Sequence, residues 1–378
     1  MTFQSLDKKD FLKKYWQKKP LVIRGGFEYL REVLEPDELA GLSCEEGVEA
    51  RLILEKDGKS PWELRHRPFD EQIFSQLPEE NWTLLVQGVE QWVPEVYELL
   101  DQFRFIPNWR IDDVMVSYAP NQGTVGPHLD QYDVFLVQGW GRREWRVSKE
   151  PITEEDLIPN LDLKILKEFS DYETYVLEEG DILYLPPNYG HHGIAMGQSM
   201  TYSVGFRAPH DKEIVGHYSD HVLIHRPDSQ VYGDPTLALQ SSSGLMDQEV
   251  IDKLYARALK TLAEPVLFQE FLGKYMTYPK YDLQPEPSTV KPWRDLNDTS
   301  ALEKFLGVRL VYQLGESLRF YVNGNIKRLE PEILPLVKYL CDSPARISWG
   351  ELKSISESCN GQILVEELFS EGWLIEAE

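Results

Sequence analysis

The spacing of apolar positions changes several times along the chain. Over 7–18, Phe11, Leu12, Tyr15 and Trp16 recur at helical spacing and the run stops before Pro20, which predicts a short helix. LVIRGGF (21–27) reads as a strand ending in a glycine turn, and PDELAGLS (36–43) as a helix with Pro36 at its entrance. From 109 to 207 the period shortens. IDDVMVSYA, DVFLVQGWG, REWRVS, ETYVLEEGDILYLP and MTYSVGFRA are β-branched or aromatic segments separated by Gly, Pro, Asn and Asp turns. They predict a compact antiparallel domain, a sandwich or a double-stranded β-helix of the jelly-roll kind.

Past Pro209 the helical period returns in EIVGHYSDHVLIH and QEVIDKLYARALKTLAEPVLFQEFLGKYM, reaching about residue 278. YPKYDLQPEPSTVKPW (278–293), rich in proline and polar residues, reads as a linker. In the tail a helix (301–306), strands at 308–313 and 318–323, an NGN turn at 323–325, two helices and a final apolar strand are expected. Helices with a small hairpin suggest a winged-helix-like domain. The expected fold is therefore mixed α and β, divided at 1–207, 208–285 and 286–378. Leu254, Ala258, Leu262, Val266 and Phe271 are more apolar positions than one helical layer buries, so the middle segment is expected to form a homodimer, the alternative being that they pack onto the β-domain of the same chain.

Composition narrows the function classes. With 42% hydrophobic and 12% aromatic residues the chain is that of a folded protein. No apolar run approaches the length of a bilayer, and the charged, aromatic N-terminus has no secretory core, so a cytoplasmic protein with no membrane partner is expected. Cys44, Cys341 and Cys359 are far apart, lack metal-type spacing and read as reduced thiols. A net charge of −24 disfavours nucleic acid and favours basic protein partners, although solubility alone is the commoner reason for such a charge. From 295 to 378 there are 14 acidic against 8 basic residues, so the winged-helix-like region is not expected to bind nucleic acid directly.

The chemistry concentrates in VGPHLDQYDVFLVQGWGRREWRV (125–147) and EEGDILYLPPNYGHHG (178–193). His128 and Asp130 stand two apart on an extended segment, so their side chains share a face. A third ligand from the His191–His192 pair would complete a two-histidine, one-carboxylate triad. That set leaves coordination positions open on Fe(II) for a bidentate cosubstrate and O₂, whereas a structural zinc site would be closed and usually hold Cys.

GPHLDQYDVF, QGWGRREWRV, GDILYLPPNYGHHG and YSVGFRAP resemble the bacterial JmjC ribosomal-protein hydroxylases. The likeness extends over WQKKPLVIRGGF, PDELAGL, NWTLLVQGV and WRIDDVMVS, essentially the first 207 residues. The resemblance implies a JmjC double-stranded β-helix of the cupin type, with Fe(II), 2-oxoglutarate as cosubstrate and O₂. It implies His128, Asp130 and His191 as iron ligands, leaving His192 without a role. It also places the cation for the distal carboxylate of 2-oxoglutarate fifteen residues after His128, at Arg143, with Arg142 and Arg146 as surface alternatives. The implied reaction is hydroxylation of an arginine side chain in a basic ribosomal protein of the large subunit.

Strand parity supplies the substrate side. Asp113, Met115 and Ser117 share one face of WRIDDVMVSYA, while Val114, Val116 and Tyr118 share the other. A buried acid needs a partner, which is either a substrate guanidinium or an internal salt bridge from Arg110 or Arg207. Tyr132 and Ser203 are expected to close that pocket. The competing functions are a JmjC histidine hydroxylase or lysine demethylase acting on another basic protein, and a non-catalytic metal-binding cupin.

Overall fold

The computed structural model describes residues 3, 6–28, 30–56, 59–153, 156–158, 164–226, 231–239, 241–281, 283–285 and 296–377. The chain enters through α1 (Lys8–Lys14), whose N-cap Asp7 accepts from the N–H groups of Lys9 and Asp10 at 3.0 Å. There follow β1 (Leu21–Ile23), α2 (Pro36–Leu42), a hairpin of β2 (Ala50–Lys56) and β3 (Lys59–His66), α3 (Glu71–Ser75), β4 (Trp82–Val86) and α4 (Pro94–Asp101). Then come β5 (Ile111–Ala119), β6 (Val134–Ser148), β7 (Tyr172–Leu177), β8 (Ile182–Leu185) and β9 (His191–Phe206). All pairings are antiparallel, in the order β1-β8-β6-β9-β5-β4-β2-β3, with β7 also on β6.

The segments DVFLVQGWG and REWRVS, expected as two strands, are one. β6 pairs with β8 through Val134–Val137 and with β7 through Arg143–Ser148, while β9 follows its other edge throughout. Register shifts at 138/140 and 141/143 bend it. Glycine is required there: a Cβ on Gly139 would lie 2.2 Å from the Tyr202 ring, and Gly141, at φ +63°, would place one 2.0 Å from the Gln198 carbonyl oxygen. This bend lets one strand serve both sides of the double-stranded β-helix. Its core joins Val114, Val116, Phe135, Val137, Tyr184, Val204 and Phe206 to Phe11, Val96 and Leu99. Fully burying each such side chain is worth about 1.5–3 kcal/mol.

After the barrel come α5 (Asp211–His225), α6 (Gln248–Leu262) and α7 (Pro265–Thr277), with α5 meeting α7 through Tyr218, Val222 and Phe271. The last part comprises β10 (Ala301–Lys304), β11 (Leu310–Gln313), β12 (Leu318–Val322), β13 (Asn325–Leu329), α8 (Leu334–Asp342), β14 (Arg346–Ser348), α9 (Trp349–Ile355), α10 (Cys359–Ser370) and β15 (Leu374–Glu376) around a core of its own. The helix expected at 301–306 is the strand β10. Leu302 and Lys304 alternate inward between β14 and β15, and that pairing outweighs the helical preference of the short ALEKFL run.

The expected linker also differs. Tyr278–Tyr281 are bound to the barrel, while 286–293 and the boundary expected at 286 lie outside the described residues. Arg309 further ties the last part to the barrel by donating to the carbonyls of Ile111, at 2.8 Å, and Asp112. Among the described residues no helix is long and apolar enough to cross a membrane.

Candidate active site

His128 sits on the loop between β5 and β6 and exchanges two backbone hydrogen bonds with His191, the first residue of β9, at 2.9 and 2.8 Å. That bridge brings the two rings to a centroid distance of 4.2 Å, and His191 Nε2 lies 3.6 Å from Asp130 Oδ2. Ligand atoms of His128, Asp130 and His191 all fall within 4.8 Å of one another, and among the described residues no other such His, Cys, Asp and Glu cluster occurs. His192 is not part of it, and its buried Nε2 finds no partner there.

The imidazoles are prepared to ligate. His128 Nδ1 lies 2.9 Å from the Gly126 carbonyl and His191 Nδ1 lies 3.1 Å from that of Tyr189, contacts that place the proton on Nδ1 and a lone pair on Nε2. Burial, with the neighbouring His128 ring, pushes His191 down to about 4, so it is neutral at physiological pH. The donor set of two nitrogens and one carboxylate matches a ferrous ion with open positions and not a closed zinc site.

Arg143 lies further along β6, 1% exposed. Its Nε donates to Ser199 Oγ at 3.3 Å and its Nη1 to Ser117 Oγ at 3.4 Å, while Nη2 is buried without a partner among the described residues. Burial alone lowers its pKa to about 10, which leaves it charged. Arg142 is exposed, and Arg146 is half-buried against Glu144. Trp145, which the sequence reading missed, lies between Arg143 and the metal cluster. Its ring is 5.8 Å from the guanidinium and 5.9 Å from the His191 ring. A buried cation with an open donor is costly unless an anion joins it, and a dicarboxylate reaching from the metal is such an anion.

Of the residues expected on the substrate side, Tyr132 lines the mouth of the cleft. Met115 and Ser203 are register partners on β5 and β9, Ser203 is buried, and Tyr132 is 43% exposed. The Asp130 carboxylate, and then burial, hold the Tyr132 phenol well above its ordinary pKa. Asp113 does have an internal partner, but neither of those expected. Arg110 pairs with Asp133 at 3.1 Å and Arg207 with Asp112 at 3.2 Å, whereas Asp113 Oδ2 meets Lys280 Nζ at 3.1 Å and the Tyr281 hydroxyl. No local pattern announces contacts across so much sequence. From Asp130 and Tyr132 a cleft of about 1010 Å³ opens between the barrel and α5 and α7, lined by Glu213, Asp220, Lys274 and Lys280 among others.

Comparison with known proteins agrees with this geometry. Residues 98–214 match the family described as JmjC domain, and 258–375 the ROXA-like winged helix. The chain is 38% identical over 320 residues to ribosomal protein uL16 3-hydroxylase of Escherichia coli K12, covering 83% of this chain and 84% of that one. It is 34% identical over 367 residues to a probable ribosomal oxygenase of Haemophilus influenzae, covering 92% and 88%. The solved structure of YcfD, a ribosomal oxygenase from E. coli, in complex with cobalt and 2-oxoglutarate superposes with a TM-score of 0.83 at 32% identity over 99% of both chains. The chain belongs to the JmjC-domain ribosomal oxygenases.

Proposed function

We propose that this protein is a 2-oxoglutarate-dependent dioxygenase that hydroxylates an arginine side chain of large-subunit ribosomal protein uL16. The observation that carries the reading is Arg143, an uncompensated buried guanidinium in the same barrel as the His128, Asp130 and His191 cluster. His128, Asp130 and His191 would hold Fe(II), which with 2-oxoglutarate and O₂ supplies the oxidising chemistry.

The chain's own work is orientation and exclusion of water. Arg143 takes the distal carboxylate of 2-oxoglutarate, and the Trp145 ring walls the space between that carboxylate and the metal cluster. The Gly126 and Tyr189 carbonyls fix the two imidazoles. Met115, Tyr132 and Ser203 shape the mouth, and Asp113 receives the substrate cation, which favours arginine over an imidazole.

The acidic chain suits a basic ribosomal partner in the cytoplasm and leaves no role for direct nucleic-acid binding. Residues 208–285 form a homodimerisation segment between the barrel at 1–207 and the winged-helix-like domain at 286–378. α6 has no fully buried residue, and Leu254 and Val266 are 43% and 54% exposed, although Leu262 and Phe271 pack internally. Light scattering should give a dimer at micromolar concentration, whereas a monomer would remove the segment's assigned role.

The direct test incubates purified protein with Fe(II), 2-oxoglutarate and uL16 in air. One oxygen atom should be gained on one arginine, with succinate formed in equal amount. Succinate without a modified arginine would keep the oxygenase and overturn the substrate.

A further inference from the structure

Asp112 and Asp113 are adjacent carboxylates with different surroundings. Asp112 is saturated: Oδ1 meets Arg207 at 3.2 Å and Arg309 at 3.8 Å, and Oδ2 meets Lys280 at 2.9 Å. Asp113 is engaged on one oxygen only. Its Oδ2 accepts from Lys280 Nζ at 3.1 Å and from the Tyr281 hydroxyl, while no described residue donates to Oδ1. That oxygen lies on the Gly205 side of the carboxylate, towards Tyr132. A Cβ built on Gly205 would lie 3.6 Å from Asp113 Oδ1 and 3.9 Å from the Tyr132 ring, and Tyr132 lines the cleft beside Asp130.

Lys280 and Tyr281 reach Asp113 from a segment that is itself held in place. Arg207 donates to the carbonyls of Tyr275, Met276 and Tyr278 at the end of α7, and Thr277 Oγ1 accepts from Gly324 N at 3.1 Å. The Tyr281 ring lies over Gly88, where a Cβ would approach it to 2.7 Å. Burial alone would lower the Lys280 pKa, but Asp113 and Asp112 reverse that, so the ammonium stays charged.

We propose that Lys280 and Tyr281 are positioning residues for the protein substrate: they hold Asp113 Oδ2 inward and present Oδ1 to the incoming guanidinium. The segment after α7, tied to the C-terminal body through Thr277 and Gly324, is then part of the substrate subsite. The inference rests on the reading of Asp113 as the acceptor of the substrate cation. A carboxylate free on both oxygens could rotate, and one engaged on both would have nothing to offer. Half-engagement gives a fixed acceptor at a site that must release its product.

The test measures binding of a peptide spanning the arginine-bearing loop of uL16 to full-length protein, with Mn(II) and 2-oxoglutarate and without oxygen. Tyr281→Phe and Lys280→Met should each weaken peptide binding roughly tenfold, the scale of one charge-assisted hydrogen bond. Lys280→Arg should recover most of the loss, and the Kd of 2-oxoglutarate should move less than about twofold in all three variants. Added to Asp113→Asn, Tyr281→Phe should cost nothing more, because its target is already gone. Additive losses, or a loss of 2-oxoglutarate affinity parallel to that of the peptide, overturn the proposal and leave a structural contact. If Asp113→Asn weakens the peptide while Tyr281→Phe and Lys280→Met do not, this proposal alone falls. If Asp113→Asn leaves peptide affinity intact, the underlying reading of Asp113 falls with it.

Discussion

Arg143 and Asp113 lie on β6 and β5, the two strands that flank β9, and both are almost fully buried, yet the chain treats them in opposite ways. Among the described residues Arg143 meets two serine hydroxyls and no carboxylate, which leaves its charge for an incoming anion to compensate. Asp113 has a lysine and a tyrosine on one oxygen before anything binds. A small dianion is fully enclosed and can repay the burial of a bare cation. A protein side chain entering from a cleft is less enclosed, and a bare carboxylate there would go uncompensated between turnovers. On the proposed reading, the difference separates a site for a cosubstrate from one for a reversible macromolecular partner.

Removing the metal site silences both and gives the largest effect. His128→Ala or Asp130→Ala should abolish Fe(II) binding and succinate formation, a loss of at least about a hundredfold, with the fold retained by circular dichroism. His191→Ala should match them, and a His192→Ala variant that loses activity while His191→Ala keeps it would reassign the third ligand.

Next in size, Arg143→Ala should raise the Kd of 2-oxoglutarate about a hundredfold through loss of a buried charge pair, and Arg143→Lys should raise it less. The two sites should also differ in the sign of their effect on stability. Without 2-oxoglutarate, Arg143→Met removes an uncompensated buried cation and should stabilise the protein by about 1–3 kcal/mol. Asp113→Asn breaks an ion pair and should not. Urea midpoints in the presence and absence of 2-oxoglutarate decide this, and two destabilised variants would erase the contrast.

Glu90 adds a pH dependence to the Asp113 side. Its carboxylate accepts from Val114 N at 2.8 Å and is 2% exposed. Burial, and then the Asp113 charge, push its pKa from 4.5 up to about 7. A raised carboxylate pKa means that the folded state binds the proton more tightly, so this group's contribution to stability falls as pH rises from about 4.5 to 7 and then levels off. Glu90→Gln keeps the acceptor and removes the charge. It should be neutral near pH 4.5 and stabilising by about 1–3 kcal/mol at pH 8, read from urea midpoints at the two pH values. Equal effects at both would mean that Glu90 does not ionise in the folded protein.

The Arg143 side of the comparison was legible in the sequence and the Asp113 side only half so. His128 and Asp130 stand two apart in one short stretch, and the family resemblance, carried by that stretch and by GDILYLPPNYGHHG, implies Arg143 and His191 beside them. Asp113 was visible as an inward acid, but its partners stand 167 and 168 residues away in a stretch that reads as a linker. Composition predicts a loose chain there, and only the packing of α7 against Arg207 and Gly324 shows otherwise. The β2–β3 hairpin went unread although Asp57-Gly58, a local turn signal, stands between its strands, whereas β4, like β10, takes its pairing from distant neighbours.

The smallest expected effect separates the two sites by range. A chain of net charge −24 attracts a basic ribosomal protein from a distance, whereas 2-oxoglutarate is an anion that such a field repels. Long-range attraction weakens as the screening length contracts from about 30 Å at 0.01 M salt to about 8 Å at 0.15 M. The metal cluster and Arg143 sit inside the barrel, where mobile ions do not come between charges. Raising salt across that range should therefore weaken uL16 binding several-fold, chiefly through a slower association rate, with dissociation changing less. The 2-oxoglutarate Kd should stay nearly flat, or improve slightly as repulsion from the acidic surface is screened. Stopped-flow association of uL16 and a cosubstrate titration in the same salt series measure both. A flat uL16 association rate would show that the acidic surface serves solubility, and recognition would then rest on the cleft and Asp113 alone.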